Sequence, residues 1–201
     1  MRTCLSLICM LLLITCPVHA SLRIYNPGLF QTYREPLINY TKPLGLLLAT
    51  YHIPKGKINI RIIKSTYRLY ILYKSQVIKS YPVVLGFNPV ADKLQQGDGC
   101  TPEGVFKIRA MYPHHWWSKF IWLDYPNAAS YRKIKEAKQK GLVPANAPVG
   151  GDVGIHGVPA GMDHIIGEHL NWTHGCISLT TADINEIFSN INTSTTITIQ
   201  K

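Results

Sequence analysis

Three runs of alternating or densely apolar positions, Ile58–Ile63, Tyr67–Tyr73 and Val77–Leu85, set the texture of the middle of the chain. Each is rich in β-branched and aromatic residues, and short polar turns such as Lys74-Ser75 separate them, so they predict a meander of antiparallel strands. Val105–Ala110 predicts another strand, Gly97-Asp98-Gly99 a tight turn before it, and Thr195–Gln200 the closing strand. Helical texture occurs twice. Asn127–Lys140 is rich in Lys, Ala, Glu and Gln and is followed by Gly141, where helices usually stop, which predicts a surface helix. After Thr180 or Thr181 as a cap, Ile184, Ile187, Phe188 and Ile191 recur at i, i+3, i+4 and i+7, a face that should pack on the sheet. The expected class is mainly β with a few helices, in one domain from residue 58 to 201.

The segment ahead of it reads differently. Residues 1–20 combine Arg2, an apolar run from Leu5 to Ile14 and the small-residue pattern Val18-His19-Ala20, which is how a secretory signal peptide looks. Cleavage would leave Ser21 first. A second route is open, because Leu13-Ile14-Thr15-Cys16 loosely resembles a lipoprotein box with Cys16 acylated. Residues 21–57 carry scattered prolines and glycines without sustained periodicity and are expected to be an N-terminal extension packed on the domain. Within them Leu44–Ala49 reads as a buried strand or a turn of helix.

Processing changes the chemistry that remains. Three of five cysteines lie in the signal, so the mature chain keeps Cys100 and Cys176, too few for a disulfide framework. Removing Arg2 takes the net charge from +10 to +9. A basic surface suits a polyanionic neighbour such as wall polymer, and export leaves nucleic acid out.

Two blocks carry the candidate chemistry. Gly154-Ile155-His156-Gly157 is followed by Thr173-His174-Gly175-Cys176-Ile177-Ser178, with sixteen residues, 157 to 172, between His156 and Thr173. Upstream stands Gly97-Asp98-Gly99-Cys100-Thr101-Pro102-Glu103-Gly104-Val105-Phe106. A thiol attacks a carbonyl only as thiolate, so Cys176 needs a base, and an imidazole such as His156 can take its proton and return it to a leaving amine. Glycine in the Thr173–Cys176 turn lets the Gly175 and Cys176 N–H groups face a developing oxyanion, with His174 shaping the loop. Asp152 is an acidic neighbour able to orient the base.

These blocks resemble the L,D-transpeptidases of the YkuD family, recognised by I-H-G, a gap and [S/T]-H-G-C, with G-x-x-x-T-P-x-G-x-F upstream. Members commonly carry Arg or Asn close after the Cys; Ser178 here shifts the likeness to a subgroup written W-T-x-G-C-I-[A/S]. The resemblance implies a β-sandwich-like catalytic domain, Cys176 as nucleophile, His156 as base held by the Gly157 carbonyl, and Gly157, Thr173, His174 and Gly175 as support. It implies no metal and no cofactor. The implied substrate is the peptidoglycan stem tetrapeptide, cut between the L-centre of a diamino acid and D-Ala. The acceptor is left open: another stem, the Lys of a wall-anchored lipoprotein, a D-amino acid or water, the last making the chain a hydrolase. The protein is expected to be a periplasmic monomer.

The blander readings are these. Cys100 is a small buried apolar residue; a Cys100–Cys176 disulfide is conceivable. His164 and His169 have a spacing that zinc pairs use, which with His156, His174 and Cys176 makes a zinc-binding or wall-binding structural protein the reading from another class. Otherwise His164 and His169 belong to a lid, and His114-His115-Trp116-Trp117 to another. Tyr112, Trp116, Trp117, Trp122 and Tyr125 read as plain core, with a wall-facing groove as the alternative.

Overall fold

The alternation in Ile58–Ile63 (β1) is used as the pattern predicts: Ile58, Ile60 and Ile62 are buried and Asn59 and Arg61 face out. β1 pairs antiparallel with Arg68–Tyr73 (β2), and β2 with Gln76–Pro82 (β3), so the meander forms. These strands belong to a computed structural model that describes residues 36–201. The signal peptide, Cys16 and residues 21–35 lie outside the described residues.

The remaining strands are Gly104–His114 (β4), Ser118–Leu123 (β5), Gly154–Gly157 (β6), Ile177–Leu179 (β7) and Thr196–Gln200 (β8). They complete one eight-stranded sheet in the order β3-β2-β1-β8-β4-β5-β6-β7. The last strand of the chain is therefore internal, parallel to β1 and antiparallel to β4, which buries Ile197 and Ile199 beside Ile60 and Ile62. Past β3 the chain continues to Val84, whose N–H and carbonyl both pair with Ser178 of β7. That exchange joins the two ends of the sheet, which makes it barrel-like. The expected class, mainly β with a few helices around a sandwich-like core, is the one observed: the long β4 belongs both to the β3-β2-β1-β8 half and to the β5-β6-β7 half, and the curved sheet wraps its own core.

Helix Ala128–Gln139 (α2) has the capping box that polar residues at both positions allow, Asn127 accepting from the Ser130 N–H while the Ser130 hydroxyl receives the Asn127 N–H. A four-residue helix, His164–Gly167 (α3), lies between β6 and β7. Helix Thr181–Asn190 (α4) is capped by Thr180, whose hydroxyl accepts from the Asp183 N–H, and buries Ile184 and Ile187 in the main core. Ahead of β1, helix Leu44–Thr50 (α1) sets Leu44, Leu47 and Leu48 into that same core. A half-buried carboxylate clamps it: Glu186 of α4 accepts from the Leu44 N–H, Lys79 Nζ and the Tyr81 hydroxyl. No helix of the described residues is long and apolar enough to cross a membrane.

Candidate active site

Strands β6 and β7 carry the site. They run parallel with Ile155 opposite Ile177 and His156 opposite Ser178. Continued by one residue, the register sets Cys176 beside Gly154. Side chains alternate along a strand, so Ile155 and Ile177 point to the core, while His156, Ser178 and Cys176 share the other face. The two isoleucines are fully buried, which fixes the register against a slip that would turn Cys176 inward.

His156 keeps 1 % exposure. Its Nδ1 lies 2.8 Å from the Gly157 carbonyl oxygen. A carbonyl can only accept, so Nδ1 carries the proton and the lone pair sits on Nε2. Trp117 is stacked on the imidazole at a centroid separation of 4.3 Å, and Phe120 lies parallel to it at 5.8 Å. Burial among these rings drives the His156 pKa down to about 4, against a smaller rise from the Gly157 carbonyl. The ring rests neutral. Gly157 is required here, since a Cβ on it would stand 2.7 Å from the Trp117 carbonyl, which accepts from the Gly157 N–H.

Cys176 is partly exposed and opens on a cleft of about 360 Å³ lined with Lys93, Gln96, Asp152, His174 and several glycines. Burial pushes its thiol up to about 11, with the Gly154 N–H and Lys93 pulling the other way. The thiol points at the Asp152 carbonyl, 3.5 Å away. Asp152 thus meets the Cys176 thiol through its backbone, and the group hydrogen-bonded to the His156 ring is the Gly157 carbonyl.

The loop before Cys176 is tied by Thr173. Its hydroxyl donates to the Cys176 carbonyl at 2.7 Å and accepts from the Gly175 N–H at 3.2 Å. The Gly175 donor, expected from sequence to face an oxyanion, is spent inside the loop, so of the two expected donors only the Cys176 N–H is left for that role. Gly175 itself has φ +143°, and a Cβ would stand 2.7 Å from the Cys100 carbonyl.

The model of the YkuD L,D-transpeptidase catalytic domain matches residues 57–199. The chain belongs to this family. Among solved structures, the helical cell shape determining protein Pgp2 from Campylobacter jejuni shares the fold at TM-score 0.52 and 16 % identity, covering 78 % of this chain and 55 % of that one. Bd1075 from Bdellovibrio bacteriovorus aligns at TM-score 0.50 and 18 % identity, covering 71 % and 47 %. This YkuD chain thus spans about half the length of the solved structures it matches. Among curated proteins no sequence relative matches.

Around the YkuD blocks the structure sorts the other candidates. His174 is exposed and sets its ring edge-on to Phe87, on the rim of the cleft. His164 and His169 lie on and just after α3, which is pinned by the buried Ile165 and Ile166 rather than standing free as a lid. Among the described residues no three or more His, Cys, Asp or Glu are gathered as metal ligands. Cys100 is buried and both thiols are free. The aromatic run divides: Tyr125 is core, Trp116 is 67 % exposed, and Trp117 covers His156, so plain core describes only part of it.

Two residues of the site escaped the sequence reading. Trp117 was grouped with a lid. Lys93 was not singled out, although it stands five residues before Asp98 of the Gly97-Asp98-Gly99 turn. That turn wraps the Asp98 carboxylate, which accepts from Lys93 Nζ and from the N–H groups of Leu94, Gln95 and Cys100. Burial alone would raise Asp98, but these donors outweigh it and hold the carboxyl below its usual range. A Lys and an Asp flanked by glycines at that spacing was the available signal.

Proposed function

We propose that this YkuD domain is an exported cysteine acyltransferase that takes its acyl group from a peptidoglycan stem tetrapeptide. What supports the reading is one arrangement: a neutral imidazole with its Nδ1 proton fixed on Gly157 and a cleft-facing thiol on the same face of the β6–β7 pair.

At rest the proton stays on sulfur, because burial disfavours both thiolate and imidazolium. With the peptide in the cleft, His156 Nε2 takes the thiol proton as Cys176 Sγ bonds to the carbonyl carbon at the L-centre of the diamino acid. The resulting oxyanion faces the Cys176 N–H. Collapse breaks the C–N bond, His156 returns the proton to the departing D-Ala nitrogen, and a thioester remains. An acceptor amine then attacks the thioester, its proton passes to His156 and on to the released sulfur. Water in place of the amine gives hydrolysis. The positive surface favours residence beside anionic wall polymer. The subgroup likeness of Trp172-Thr173-His174-Gly175-Cys176-Ile177-Ser178 adds release of wall-linked groups to the reactions to be tried.

The experiment is intact-protein mass spectrometry after mixing with a tetrapeptide muropeptide. A gain equal to the donor less D-Ala, mapped to Cys176, is the expected result; folded, reduced protein with no adduct would refute the reading. Product analysis with and without an amine separates transfer from hydrolysis.

A further inference from the structure

Lys93 differs from the other deeply buried lysines. Lys64 Nζ donates to the Ala91 and Thr101 carbonyls and to Glu103, and Lys79 Nζ to the Lys42 carbonyl and Glu186. Both spend their donors inside the fold. Lys93 has a side-chain exposure of 4 % and, among the described residues, one acceptor, Asp98 Oδ1 at 2.8 Å. An ammonium has three donors, and leaving a buried charge short of partners is costly.

The remaining donors belong to a side chain that lines the Cys176 cleft. A Cβ on Gly175, the residue before the nucleophile, would stand 3.6 Å from Lys93 Nζ. Asp98 does not cancel the charge alone, since three backbone N–H groups also satisfy it. The other ionisable side chains on the cleft are Asp152 and His174, both exposed.

We infer that Lys93 binds the terminal α-carboxylate of the donor peptide, one residue beyond the bond that Cys176 attacks. This rests on the acyl-transfer reading above. A carboxylate offers two oxygens, one for each vacant donor, and is charged from the moment of binding. The transient oxyanion would leave the ammonium unsatisfied in the bound ground state. Lys93 Nζ lies beside Gly175, the neighbour of Cys176, in the same cleft, and one residue of donor chain spans only about 3.5 Å, so a carboxylate one residue past the attacked bond stays within that cleft. Lys93 is then a specificity-determining residue: it selects donors that end immediately after the leaving amino acid and rejects those that continue.

The test compares kcat/KM for release of the terminal residue from a tetrapeptide donor and from its C-terminal carboxamide, using the mature protein, Lys93→Met and Lys93→Arg. The wild type is expected to prefer the acid by about tenfold to a hundredfold, mainly through KM, as a charge-assisted hydrogen bond allows. Lys93→Met should bring the acid-to-amide ratio close to one, and Lys93→Arg should restore most of it. An equal rate for acid and amide in the wild type overturns the inference without any variant. So does a Lys93→Met protein in which kcat falls equally for both donors and the ratio stays, which would make Lys93 an oxyanion or thiolate stabiliser. A wild type that processes neither donor overturns the acyl-transfer reading itself.

Discussion

Trp117 lies nearly flat on His156, with an interplanar angle of 23°, and its carbonyl accepts the N–H of the residue that follows the histidine. The hairpin tip that joins β4 to β5 thus reaches the proposed base by ring and by backbone. His114 stacks on the far face of the same indole at 4.3 Å, so the tryptophan is held on both sides.

Removing that cover should wet the imidazole. Trp117→Ala is expected to raise the His156 pKa from about 4 toward its ordinary 6.5, and to cost turnover on the order of a hundredfold through a misplaced base. Trp117→Phe should keep most of both. Proton NMR titration of His156 beside the rate measurement decides it, and an unmoved pKa in Trp117→Ala would show that the indole does not control solvation.

The thiol and its base act as a unit, so His156→Ala and Cys176→Ala should each abolish acyl transfer. His174 touches Phe87 from the rim and is solvent-exposed, so His174→Ala should leave measurable activity. Titration of thiolate formation in each variant checks the assignment. If only His174→Ala shifts the thiol, the base has been misnamed.

Alkylation should separate the two cysteines. With the Cys176 thiol pushed up to about 11 by burial, its iodoacetamide rate should rise roughly tenfold per pH unit from pH 7 to pH 10 in substrate-free protein. Cys100 is also raised, by burial and then by Asp98, and is closed off from solvent, so it should label far more slowly. Cys100→Ser should change stability by no more than about 1 kcal/mol and retain turnover, because the hydroxyl can make the same contact to the Asp98 carbonyl.

Gly175→Ala asks for a side chain at φ +143° and against the Cys100 carbonyl. The expected cost is roughly 1–3 kcal/mol of loop strain with the sheet intact. Circular dichroism should show a folded protein with a lowered melting temperature, and the muropeptide adduct at Cys176 should be lost.

Acid should weaken the fold through His156. Its folded pKa of about 4 lies below the ordinary 6.5, so between these values the unfolded chain binds a proton that the folded chain refuses. The contribution is complete above about pH 6.5 and is lost as the pH falls, on the order of 3 kcal/mol by pH 4. Asp98 and Glu186, held low by their donors, lose stability in the same direction, so the comparison is with His156→Gln. Urea midpoints at pH 7 and pH 5 should differ less in that variant.

What could be read in advance follows the range of each signal. β1 to β3, the two longer helices and the His156 and Cys176 blocks announce themselves through local periodicity, caps and motif spacing. β6 and β7 do not, because Gly154–Gly157 and Ile177–Leu179 are buried at every position and show no alternation. Ser118–Leu123 hid inside an aromatic run. The role of Lys93 depends on its burial beside Gly175 of a loop far away in sequence, so its spacing from Asp98 marks the ion pair but not the cleft it faces. The Gly175 N–H was misassigned for a similar reason: the Thr173 hydroxyl that takes it is visible only once the turn has its shape.

The Val84–Ser178 exchange that joins the ends of the sheet also governs how a substrate can approach. A peptide often binds by lying along a free strand margin and borrowing its backbone groups, with little regard for side chains. On β7 that margin is already occupied on both sides, by β6 and by Val84. The stem peptide proposed as donor would then be held by its ends and its charges instead of by strand addition.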